Sequence, residues 1–137
     1  MEPDRFRVAD TRGWFAAADT DFRSAEADLL VSPPVLEDVL FHCQQAVEKA
    51  LKGFPTWNDH PFQKTHDLGE LAHLFVKSDA TLEPILRPAA PLSKYASGFR
   101  YPGAPYKPTL EEAENAFKLA REVVAEILAR LPPEVGL

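Results

Sequence analysis

Between residues 36 and 54 an apolar side chain returns at every third or fourth position: Leu36, Val39, Leu40, Cys43, Val47, Ala50, Leu51 and Phe54. A helix turns about 100° per residue, so this spacing draws one continuous stripe down one side of a helix. A strand, with its period of two, would scatter the same residues over both faces. The pattern recurs twice. Phe15, Ala18, Phe22, Ala25 and Leu29 predict a first helix over about residues 11–31. Leu110, Ala113, Phe117, Ala120, Val124, Ile127 and Leu131 predict a last one. No segment alternates as a half-buried strand does. Helices with one apolar face each must cover one another, which predicts an all-α, up-and-down four- to five-helix bundle.

The breaks between stripes are written in proline and capping residues. In "VSPPVLED" Ser32 is expected as N-cap with Pro33 at the first helical position, where its missing N–H costs nothing. The second helix is expected to stop near Phe54, ahead of Pro55. Asp67 with Glu70 predicts the start of a short third helix, about 68–77. A fourth, about 80–97, carries Leu82, Ile85, Leu86, Ala89, Leu92 and Ala96. Pro84, Pro88 and Pro91 confine it to a first turn, a kink or separate short turns. "SGFRYPGAPYKPT" predicts an extended loop, and Thr109 with Glu112 a capping box for the last helix.

At 137 residues the chain is expected to be one domain, 1–137, long enough to bury a core without staples. Its one cysteine, Cys43, lies on the apolar stripe and reads as a packed core residue rather than a nucleophile. No apolar run of membrane-spanning length and no signal-peptide core is present, so the expected location is the cytoplasm. Fifteen basic against twenty-one acidic residues, net charge −6, disfavour broad binding to a phosphate backbone, though not one local basic pocket.

Chemistry-bearing motifs are scarce. There is no glycine-rich phosphate loop, no HExxH, no paired CxxC and no serine elbow. The histidines His42, His60, His66 and His73 do not pair at i, i+4 on one helix, so no metal site is expected. His66 and Asp67 precede a helix start and read as a capping cluster, with a ligand-facing role for His66 as the alternative. Lys49 and Lys52 project from the second helix, either as a solvated face paired with Glu48 or as cations for a ligand. Arg100, Tyr101 and Tyr106 crowd the proline-stiffened loop, where a guanidinium suits phosphate and a phenol ring suits a base, or where Arg100 simply ties the loop to a helix end.

That second helix also has a second stripe, Phe41, Gln45, Glu48 and Lys52, nearly opposite the first. A glutamine amide both donates and accepts, so it tolerates burial against a partner without stranding a charge. Phe41, Gln45 and Glu48 are therefore read as a dimer interface or the lining of a site.

Taken in order, "FHCQQAVEKALKGF", "THDLGEL", "FRYPG" and "EEAENAFKLA" resemble the HEPN domain (higher eukaryotes and prokaryotes nucleotide-binding) over roughly residues 10–130. The resemblance implies a helical bundle that commonly forms homodimers. It also implies a nucleotide- or substrate-binding partner of a minimal nucleotidyltransferase, or half of a toxin–antitoxin pair.

Many members of that family are ribonucleases with an Arg followed four to six residues later by His. The pair supplies a proton acceptor at the 2′-hydroxyl and a cation at the phosphate. Here Arg100 is present, but no histidine follows it, and Tyr106 holds the sixth place. An unperturbed phenol titrates near pH ~10 and is a poor base at neutrality. The expectation is thus a non-catalytic, homodimeric HEPN protein with no cofactor. It would bind a nucleotide or RNA end through Lys49, Lys52, His66, Arg100, Tyr101 and Tyr106, or partner a nucleotidyltransferase. A divergent ribonuclease toxin and a ligand-free interaction scaffold are the alternatives.

Overall fold

A computed structural model describes residues 5–58, 65–96 and 107–136, apart from the side chain of residue 78. Five α-helices succeed one another: α1 (Arg5–Leu30), α2 (Leu36–Trp57), α3 (Leu68–Ser78), α4 (Glu83–Leu86) and α5 (Leu110–Leu128). A 3-10 segment, Arg87–Ala96, follows α4, and no strand occurs among the described residues. The fold is the all-α bundle that the stripes predict.

The centre of the bundle is α2, which packs against α1, α3, α5 and the 3-10 segment. Its apolar stripe from Val39 to Phe54 is buried, and Leu36 packs at the edge of the core. From α1 come Phe15, Ala18, Phe22 and Ala25, and from α5 Ala113, Ala120, Val124 and Ile127. A close approach between α1 and α2 occurs at Gly53, where a Cβ would stand 2.7 Å from Phe15 Cε2 and 3.1 Å from Trp14 Cβ.

Three boundaries differ from expectation, each for a local reason. Helix α1 begins at Arg5, ahead of residue 11. Val8 packs on the core, the Arg7 guanidinium lies 4.4 Å from the Trp57 ring centroid, and Thr11 donates its hydroxyl to Arg7 O. Helix α2 begins at Leu36 after Val35, with no side-chain cap, so Ser32 and Pro33 do not start it. The turn is closed instead by the Val35 N–H donating to Asp28 O. At its far end α2 runs through Pro55 to Trp57. One lost backbone bond is offset there by burial of Pro55 and packing of Trp57.

The caps at Asp67 and Thr109 are as read. Asp67 accepts from the Gly69 and Glu70 N–H groups, and Thr109 from the Glu112 N–H. The proline-rich stretch is not one α-helix. After a 3-10 turn over Ala80–Leu82 and the single turn of α4, it continues as the 3-10 segment. Pro88 and Pro91 have no N–H to give an α ladder, and the buried residues Ala89, Leu92 and Tyr95 repeat at the period of a 3-10 helix. Tyr95, not Ala96, thus completes the stripe.

Candidate functional site

The polar residues of α2 form two nests, each built around an acid buried between helices. Asp21, from α1, is the first. Its Oδ1 accepts from His42 Nδ1 at 2.8 Å and its Oδ2 from Lys49 Nζ at 2.6 Å. A carboxylate can only accept, so the Nδ1 of His42 carries the proton. Asp21 shares helical spacing with Ala18 and Ala25, on the buried side of α1. That position is the signal by which the sequence could have revealed it.

The second nest surrounds Glu48, whose side chain is 5% exposed. Oε1 accepts from Gln44 Nε2 at 3.0 Å and from His66 Nδ1 at 2.8 Å, and Oε2 from Lys52 Nζ at 3.2 Å. Gln44 is fully buried and satisfied on both sides: its Nε2 also reaches His66 O at 3.3 Å, and its Oε1 accepts from Gln45 Nε2 at 2.6 Å. Burial alone would raise the Glu48 carboxyl pKa. The hydrogen bonds from Gln44, His66 and Lys52, with the Lys52 charge, outweigh it and hold the pKa below its usual range. The paired glutamines thus serve a buried carboxylate inside the chain.

This arrangement redefines the second stripe of α2. Glu48 is enclosed within the chain, so it is not on a surface that a second protomer reaches. Phe41 and Gln45 are half-buried, with the Phe41 ring centroid 5.5 Å from that of His42. Lys49 pairs with Asp21 rather than Glu48, and Lys52 with Glu48. Both side chains are only partly exposed, and each reaches solvent as the outer half of an ion pair. A phosphate taken by either lysine competes with an internal carboxylate.

The His66 side chain is 70% exposed while its Nδ1 is held by Glu48. The Leu68 N–H donates to Ser93 Oγ, which brings the start of α3 against the 3-10 segment. Arg100, Tyr101 and Tyr106, and also His60, lie outside the described residues. The described chain breaks off at Ala96 and resumes at Lys107. Close to both points a cavity of about 420 Å³ opens between the 3-10 segment and α5, lined by Pro91, Lys94, Tyr95, Thr109, Glu112 and Asn115 among others. Tyr95 donates its hydroxyl to Glu112 at 2.5 Å, and Lys94 Nζ sits 5.1 Å from the Tyr95 ring centroid.

Cys43 is packed in the core, and burial pushes its thiol up to about 12, so it offers no thiolate at neutral pH. No helix among the described residues is long and apolar enough to cross a membrane.

Among known protein families, a model described as HEPN domain matches residues 11–131. No curated protein and no solved structure matches the chain.

Proposed function

This chain belongs to the HEPN domain family, and from that premise we propose that it acts as a non-catalytic, homodimeric member in the cytoplasm. Its task is to bind a nucleotide or an RNA end, alone or as the partner of a minimal nucleotidyltransferase.

One observation carries the binding half. The segment that holds Arg100, Tyr101 and Tyr106 leaves and rejoins the described chain close to Tyr95 and Thr109, which line the 420 Å³ cavity. A guanidinium, phenol rings, the Lys94 ammonium and the Asn115 amide are groups that suit a phosphate and a base. Lys49 and Lys52 enter this reading as secondary cations, since each must leave Asp21 or Glu48 to take a phosphate.

The non-catalytic half rests on the missing histidine after Arg100. A second reading, residual ribonuclease activity, is favoured by one feature: His66 presents an exposed ring whose Nδ1–H is held by Glu48, leaving Nε2 as a proton acceptor. Incubation of purified protein with single-stranded RNA and tRNA separates the two. The proposal expects intact RNA, whereas cleavage lost in both Arg100→Ala and His66→Gln establishes the nuclease.

A further inference from the structure

Where α1 ends and α2 begins, a third polar cluster adjoins the Asp21 nest. One oxygen of Asp28, one oxygen of Asp38 and a ring nitrogen of His42 all stand within 4.8 Å of one another. Asp28 lies in the last turn of α1, and Asp38 and His42 are at i, i+4 on α2. The turn between the helices is fixed by the Val35 N–H to Asp28 O bond.

The chemistry of this cluster is incomplete as it stands. His42 gives its Nδ1 proton to Asp21, a carboxylate buried behind it. In the neutral ring Nε2 is then a bare lone pair, and it faces Asp38 Oδ2 at 3.3 Å. Two acceptors at that distance repel unless a cation or a further proton lies between them. The Oδ2 atom of Asp28 is enclosed with no donor on it among the described residues, and its carboxyl lies within hydrogen-bond reach of the Asp38 carboxylate, which offers it nothing unless one of the two carries a proton. Burial of such an atom without a partner costs free energy.

We propose that Asp28, Asp38 and His42 form a binding site for a divalent transition-metal cation, with Asp21 as the buried carboxylate that fixes the metal-binding tautomer of His42. Two carboxylate oxygens and an imidazole nitrogen suit Zn²⁺, Mn²⁺ or Fe²⁺, and a ligand set without thiolate argues against copper(I). Ligand atoms bonded at about 2.0–2.2 Å stand roughly 3–3.6 Å apart around one cation. The His42–Asp38 edge already has that length. The Asp38 side chain is 48% exposed and that of His42 24%, so a cation has a path in and water can complete its shell. The contact from Asp21 to His42 is the carboxylate–histidine relay that orients imidazole ligands in metal sites. This site is independent of the nucleotide-binding reading, and its test uses no nucleotide.

The test is calorimetric titration of untagged, chelator-treated protein with Zn²⁺ and Mn²⁺. The expected result is one saturable site per chain with at least one of them. Asp28→Asn and Asp38→Asn each remove it, Asp21→Asn weakens it by about 10–100-fold, and His73→Gln on α3 leaves it unchanged. Asp38 is half-exposed, so its variant is expected to keep the wild-type circular dichroism even if Asp28→Asn unfolds. Bound Co²⁺ should also give a visible spectrum that changes in a folded His42→Gln variant. Absence of saturable binding at millimolar metal, or binding that survives Asp38→Asn, overturns the proposal.

Discussion

His66 Nδ1 stands 2.8 Å from Glu48 Oε1, so an imidazole on the surface of the bundle is fastened to a carboxylate inside it. The same carboxylate receives Gln44 and Lys52, and it thereby joins the approach to α3 to the middle of α2. Core structure and surface chemistry meet at this one acid.

Glu48 should therefore govern stability in acid. Its folded-state pKa lies below the ordinary glutamate value of 4.5. The stabilisation is present above that value and is lost as the pH falls through the folded one. Urea unfolding measured from about pH 7 down to about pH 3 should show a steeper acid loss for wild type than for Glu48→Gln. Glu48→Ala, which strands the Gln44 amide and the Lys52 charge, should cost about 1–3 kcal/mol at neutral pH. Parallel acid limbs for wild type and Glu48→Gln would mean that the carboxylate is not held as described.

Gly53 should be intolerant of a methyl group. Alanine is the better helix former by about 1 kcal/mol, but its Cβ would press on the buried Phe15 ring at 2.7 Å and on Trp14 Cβ at 3.1 Å. Gly53→Ala should lose about 1–3 kcal/mol on chemical denaturation, as overpacked cores do. A stability equal to or above wild type would show that α1 can give way.

Phe41→Glu tests the proposed homodimer. The Phe41 ring is half-buried beside His42 and lies away from the apolar stripe. The variant should lower the mass measured by light scattering while helical content stays near wild type. A wild type that is monomeric at tens of micromolar excludes the dimer.

The apolar stripes made the fold legible because core burial follows helical period. Val39, Leu40, Val47 and Leu51 are buried where the spacing places them, and Asp67 and Thr109 cap where their side chains reach the first N–H groups. What the period hid was the second side of α2. A helix at the centre of a bundle is covered on several faces, so Gln44 and Glu48 are buried although their residue types suggest solvent. Pairing was equally hidden, because the partner of Lys49 is Asp21 on another helix, not the adjacent Glu48. The Asp28, Asp38 and His42 cluster escaped a search for paired histidines, since its i, i+4 pair is an aspartate with a histidine and its third member crosses the turn.

Ligand binding without catalysis is measured by titration calorimetry of the protein against a panel of nucleotides and short RNAs. Saturable heat is expected with at least one ligand, with an affinity that falls with salt as phosphate contacts require, and with loss of binding in Arg100→Ala while the RNA is left intact. No heat with any ligand at millimolar concentration, or binding that Arg100→Ala leaves unchanged, would contradict it.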